Sequence, residues 1–224
     1  MRTLVKNIWV KRVLFAVVTL VWGSAAGMGF HLLLDYQFDA GEEGLPPVTW
    51  PMESALPRSS GTPALIVFAH PKCPCTRASL VELSRLMAHI KDRVSLSIVF
   101  YHPDGKDESW VRQSVLWGMA ESIGADRLVI MGGAAEIERF KPRTSGQVYL
   151  YDGAGELQYS GGITSSRGHE GDNLGRAAIH DFVLSGKVIA TKFHVFGCSL
   201  TGRKRVDAAA DKRVKPIKGW GYGS

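Results

Sequence analysis

Apolar and polar positions divide the chain into unlike stretches. From Val13 to Leu34 the run VLFAVVTLVWGSAAGMGFHLLL holds no Asp, Glu, Lys or Arg. A helix over it spans about 33 Å at about 1.5 Å per residue, enough for a hydrocarbon core of about 30 Å. Residues 35–63 keep no sustained period of 2 or 3.6 and carry Pro46, Pro47, Pro51, Pro57 and Pro63. They read as a linker, with Trp50 and Met52 its candidates for packing back on a domain.

Regular patterning begins at Ala64. ALIVFAH (64–70) is a short apolar run of the buried-strand kind. Leu80, Leu83, Met87 and Ile90 then recur at helical spacing through about residue 91. VSLSIVFYH (94–102) is β-branched and aromatic, a second strand. ESWVRQSVLWGMAESIG (108–124) holds good helix formers and stops at Gly124. RLVIM is a short strand, followed by a helix around 133–140. GQVYLYDGAGELQYSGG (146–162) predicts two strands around DGAG. Asp172 or Asn173 caps a last helix with Leu174, Ala177, Ala178 and Phe182 on one face, ending at Gly186.

The order strand, helix, strand, helix, hairpin, helix predicts an α/β domain with a mixed sheet and helices on both faces. One N-terminal transmembrane helix precedes it. The expected division is residues 1–12 as the N-terminus, 13–34 as the anchor, 35–63 as the linker, 64–186 as the domain and 187–224 as an extension with a basic tail.

Charge adds sidedness. The formal net charge is +6, and much of the excess sits in Arg2, Lys6, Lys11 and Arg12 and again from Arg203 to Lys218. A distributed nucleic-acid face is a poor explanation of that pattern. Asp35, Asp39, Glu42 and Glu43 follow the apolar run, so the positive-inside bias leaves the N-terminus in the cytoplasm and the domain on the extracytoplasmic, periplasmic side. Ser24-Ala25-Ala26 offers a signal-cleavage site, but the run continues to Leu34 and favours an uncleaved anchor. Either way the cysteines face a compartment where disulfides persist. The basic tail, with Trp220 and Tyr222, is either solvated or a contact for anionic lipid headgroups.

The chemistry lies in three cysteines. In HPKCPCTRASL (70–80), Pro74 suits the first helical position, which makes Cys73 the N-cap and Cys75 the second helical residue. Free N–H groups and the helix dipole favour an anion there. Lys72 and Arg77 add positive charge, and together these lower a thiol pKa. Cys73, at the exposed helix tip, is the expected nucleophile; Cys75 resolves a mixed disulfide or is shielded beneath it. A Cys73–Cys75 ring would be strained and oxidising. Cys198, in FHVFGCSL, is the alternative partner across well over 100 residues. The short pair is preferred, because nothing in the sequence fixes where residues 187–200 pack. The bland alternative, inert small core residues, weighs most for Cys198.

His70 and His102 end the first two strands on one edge and are placed to tune a thiolate. Soft thiolates also suit copper(I), with nitrogen from His70, His102, His169 or His194. Zinc would need a fourth ligand and paired spacings that are absent. SGGITSSRGHEGDNLGR has no phosphate-binding spacing, and no organic cofactor is implied.

The element order, with cysteines where the first strand meets the first helix, resembles the thioredoxin-like superfamily over about residues 64–186. HPKCPCTRASL, TSGQVYLYD, SGGITSSRGHEGDN and VFGC also look like segments of membrane-anchored redox proteins of the RedB type. The chain departs from thioredoxins in two ways. Its cysteines are one residue closer than C-x-x-C, and Thr144-Ser145-Gly146 stands where a cis-proline is usual. The resemblance implies a thiol–disulfide oxidoreductase acting on a protein or small disulfide or thiol. The loop after the fourth strand would then border the site, making Arg167 and His169, with His70 and Arg77, substrate contacts. The alternatives are a copper(I)-delivery protein, although the C-x-x-x-C of the Sco type is absent, or a non-catalytic accessory subunit of a membrane complex.

Overall fold

The computed structural model describes residues 2–103, 105–132 and 135–200. The basic tail from Arg203 lies outside them. Helix α1 (Arg2–Phe38) opens the chain, and within it Ile8–Phe38 is long and apolar enough to cross a membrane. There follow β1 (Ala64–Ala69), α2 (Pro74–Ile90), β2 (Ser95–His102), α3 (Ser109–Arg112), α4 (Val115–Ile123), β3 (Arg127–Gly132), α5 (Ala135–Phe140), β4 (Gln147–Tyr151), β5 (Leu157–Gly161) and α6 (Leu174–Ser185).

The strands form one sheet in the order β3-β2-β1-β4-β5. β1, β2 and β3 run parallel, while β4 pairs antiparallel with both β1 and β5. Side chains alternate across a strand, and the apolar residues divide accordingly. Leu65, Val67 and Ala69 of β1, Leu96, Ile98 and Phe100 of β2, and Val148 and Leu150 of β4 face α2, α4 and α6. Ile66, Phe68, Val99, Tyr149 and Tyr151 face the other way, toward Phe140 of α5, Leu56 and Leu200. Because both faces are covered, the central strands read as continuous apolar runs.

Two local features differ from the sequence expectation, and one of the two expected caps is selected. The helix expected over 108–124 is broken, because Ser114 is extended (φ −75°, ψ 145°) and its hydroxyl accepts from the Trp117 N–H, starting α4 afresh. The last helix is capped by Asn173, whose side chain accepts from the Arg176 N–H at 2.8 Å. Its buried face carries Ala178 and Ile179, whereas Leu174 is 54% exposed.

Beyond Phe38, where α1 ends, the stretch expected as a linker has no helix or strand of its own, yet it is bonded along its length. Trp50 donates its N–H to Gly155 O at 2.8 Å and sets its ring edge-on to Phe140 and Tyr151. Tyr151 Oη donates to Pro47 O at 3.0 Å. The Ala55 N–H and Ser54 hydroxyl both bond the Glu136 carboxylate. Met52, by contrast, is fully exposed.

Trp50→Ala should therefore loosen this segment. Trp50 is half-buried, so a cost of about 2 kcal/mol is expected, below the 3–5 typical of a buried aromatic. Limited proteolysis should show faster cleavage within residues 45–57; unchanged cleavage would mean the segment is held without it.

Candidate functional site

The cysteine loop is built at the end of β1. His70 N–H donates to Ser145 Oγ at 2.7 Å, and Cys73 N–H closes a turn onto His70 O at 3.0 Å. A residue before proline avoids the helical region, and Cys73 is extended (φ −88°, ψ 113°) as the N-cap of α2, with Pro74 leading the first turn. The local expectation for Cys73 and Cys75 is met. What covers them is new.

Residues 191–200 form a strap across this end of the sheet. The strap leaves β5 through a Ser160–Lys192 bridge, and Val195 O accepts from the Gly41 N–H at 2.8 Å. It then pairs antiparallel with the loop before β4. Ser145 N–H donates to Cys198 O at 2.8 Å and Leu200 N–H to Arg143 O at 2.9 Å, around a Thr144–Ser199 bridge. A Cβ on Gly197 would meet Ser145 O at 2.0 Å, so only glycine allows this approach. The Cys198 N–H consequently points at the Cys73 sulfur, 3.4 Å away.

Cys73 is therefore 1% exposed, not the open helix tip expected from sequence. The preference for a Cys73–Cys75 pair also loses its basis, because residues 187–200 are not free but hold Cys198 against Cys73. All three cysteines are free thiols. In place of a cis-proline the Thr144-Ser145-Gly146 turn is trans, like every described peptide bond. Ser145 Oγ and Thr76 Oγ1 are hydrogen-bonded at 2.5 Å, either hydroxyl able to donate, joining this turn to α2.

The thiols differ in acidity. Burial raises the Cys73 value, but hydrogen bonds from the Thr76 hydroxyl, the Cys198 N–H and thiol and the Thr76 N–H together outweigh it, and the net shift is downward. Burial pushes the Cys75 thiol up, and the negative charge on Cys73 adds to that, against Arg167. Burial raises Cys198 to about 12, helped by the hydrogen bond it gives Cys73 and by the charges of Cys73 and Cys75. The arrangement favours one thiolate, on Cys73, and two protonated neighbours.

The expected cations and imidazoles are distributed differently. Arg77 is exposed and Lys72 sits over the Trp110 ring at 5.0 Å; neither contributes to the Cys73 shift. Arg167 supplies the positive charge at the thiols, but its guanidinium is held inside the chain by Asp39 O and Gly197 O. The His70 ring stacks on Tyr101 and its Nδ1 accepts from the Lys72 N–H at 3.2 Å; burial, then Lys72, lowers its pKa. His169 is exposed, His194 lies 3.8 Å from Glu43, and His102 Nε2 is buried without a partner. Among the described residues no group of three or more His, Cys, Asp or Glu is disposed to hold a metal ion. Sequence reasoning missed Thr76 and Gly197, and named Ser145 only within the stretch at the cis-proline position. The available signals were a small polar residue in the first turn of α2 and a lone glycine in FHVFGCSL.

Three parallel strands, an antiparallel hairpin added beside the first of them, and a helix capped by cysteine after that strand complete the architecture. The fold is thioredoxin-like. No family profile matches the chain, and no curated protein does. Among solved structures, an uncharacterised conserved protein from Geobacillus kaustophilus is similar at a TM-score of 0.52 and 18% identity, over 75% of this chain and 94% of that one. A hypothetical protein from Sinorhizobium meliloti matches at 0.51 and 16%, over 72% and 93%. A thioredoxin-like protein solved in its oxidised form matches at 0.45 and 14%, over 65% and 97%. None of the three shares more than 18% identity with this chain.

A pH series of alkylation, read cysteine by cysteine, checks the acidities. Burial scales the limiting rate, whereas the midpoint reports ionisation. The Cys73 midpoint should fall below the ordinary thiol range of about 8.5, with the Cys75 and Cys198 midpoints above it. A Cys73 midpoint at or above that range would remove the activated thiolate.

Proposed function

We propose that this chain is a membrane-anchored thiol–disulfide oxidoreductase whose reacting pair is Cys73 and Cys198. The observation that carries the reading is the Cys198 N–H on the Cys73 sulfur at 3.4 Å, with the Cys198 thiol near enough for each thiol to shift the other's acidity. The thioredoxin-like domain stands on the extracytoplasmic side, supported by the charges flanking the apolar run, with α1 in the lipid. The substrate is a protein or small disulfide.

In the reductive direction the Cys73 thiolate attacks one substrate sulfur. A Cys73–substrate bond forms, the substrate S–S bond breaks, and the released thiolate takes a proton from solvent. Cys73 then carries no charge, so the repulsion that held the Cys198 proton disappears. The Cys198 thiol loses that proton and attacks the Cys73 sulfur, releasing the second substrate thiolate and closing Cys73–Cys198. The substrate gains two electrons and the dithiol loses two; the reverse sequence oxidises a substrate dithiol. Because Cys73 is 1% exposed, substrate entry requires residues 195–199 to lift from Ser145. Cys75 stays protonated beneath and is not needed for the exchange.

A copper(I)-delivery reading rests on two soft sulfurs, those of Cys73 and Cys198, lying side by side. It ranks second, because among the described residues no third His, Cys, Asp or Glu joins them to hold a metal ion. Copper(I) bound one to one through Cys73 and Cys75, with redox activity absent, would reverse that order.

Thiol trapping on protein from its native membrane, before and after mild oxidation, should map a Cys73–Cys198 disulfide. The bond closes a loop across 125 positions and should stabilise the oxidised domain by about 5 kcal/mol in the chain-entropy picture. Exclusive Cys73–Cys75 pairing would overturn the assignment of partners. Separately, a reporter fused after Gly186 should be active only outside the cytoplasm, and cytoplasmic activity would reverse the topology.

A further inference from the structure

The Arg167 guanidinium, 13% exposed, joins three segments that are distant in sequence. Its Nε donates to Asp39 O at 3.1 Å and its Nη1 to Gly197 O at 2.8 Å. Its Nη2 lies 3.7 Å from the Asp39 carboxylate, and its plane sits 5.1 Å from the Tyr36 ring at the end of α1. The Arg167 backbone N–H also donates to Gln37 O at 3.0 Å. A group so held is not waiting for a substrate carboxylate.

The Gly197 carbonyl and the Cys198 N–H belong to one peptide group. A trans peptide directs these two bonds in opposite senses, so Arg167 at the oxygen and Cys73 at the hydrogen lie at opposite ends of one dipole. A cation at the carbonyl oxygen makes the N–H a stronger donor to an anion, and charge-assisted hydrogen bonds are the strong ones. The close approach of Gly197 to Ser145 O fixes this group from the side.

We propose that Arg167 is a positioning residue for Cys73, fixing and polarising the Gly197–Cys198 peptide so that its N–H lies on the Cys73 sulfur whenever the strap is docked. The inference rests on the reading of Cys73 as the attacking thiolate and deepens it. It also ties that sulfur to the end of the membrane helix, since Tyr36, Gln37 and Asp39 hold Arg167. The other groups around Cys73 are Cys75 and Thr76 of α2 and the Cys198 thiol. His70 and Lys72 lie on the aromatic side, against Tyr101 and Trp110.

The test uses the full-length chain in detergent, in a Cys198→Ser background that keeps the N–H and removes the rival thiol. Cys73 alkylation is followed against pH by mass spectrometry, and proteolysis within residues 191–200 reports whether the strap stays docked. Arg167→Ala should raise the Cys73 midpoint and slow its alkylation at neutral pH about tenfold, the effect of one pKa unit. Arg167→Lys, which keeps the charge but not the forked donors, should recover part of that loss with the strap docked. An Arg167→Ala midpoint equal to the parent's, with the parent still below the ordinary range, overturns the inference and leaves the Cys73 reading intact. A parent midpoint within or above the ordinary range instead overturns the Cys73 reading itself. Equal loss in both variants together with a cleaved strap shows Arg167 to be a tether only, and that also overturns the inference.

Discussion

The antiparallel pairing of residues 198–200 with Arg143–Ser145 is the contact on which the thiol site depends. It takes Cys73 out of water, turns the Cys198 N–H onto its sulfur, and sets a second thiol beside it. The pairing is possible because Gly197 has no side chain to meet Ser145 O. It is reinforced from outside by the segment after α1, where Gly41 N–H bonds Val195 O and Lys192 pairs with Glu43 at 2.5 Å. The same loop reaches inward, since Ser145 Oγ bonds both the end of β1 and Thr76 of α2.

Burial and ionisation oppose one another at Cys73. An unpaired buried anion is costly, and burial is the largest single influence on this thiol. The thiolate is favoured only because hydrogen-bond donors outweigh burial, and the one that sits on the sulfur at 3.4 Å, the Cys198 N–H, cannot leave without the strap lifting. The neighbouring thiols pay the opposite cost, each held protonated by burial and by the Cys73 charge. Three chemically identical side chains are thereby given different roles by their surroundings.

The fold was legible because its core obeys simple periods. Leu65, Val67 and Ala69 alternate with Ile66 and Phe68 in β1, and Leu80, Leu83, Met87 and Ile90 mark the buried stripe of α2. Pro74 announced the helix start and the placement of both nearby cysteines. The strap was not legible, because residues 187–200 have no period and are held mostly by main-chain bonds, which leave no repeating side-chain pattern. Arg167 was expected as a substrate contact, whereas its partners are Asp39, Gly197 and the end of α1, which leave no pattern in a sequence. Arg77, one helical turn from Cys73 in the sequence, is directed to solvent.

The account stands on Cys198, rather than Cys75, being the redox partner of Cys73. A glutathione redox titration of the full-length Cys75→Ser and Cys198→Ser chains separates the two most directly. The Cys75→Ser chain should keep a two-electron dithiol–disulfide couple, and the Cys198→Ser chain should lose it. A couple that survives Cys198→Ser and disappears in Cys75→Ser would contradict the account.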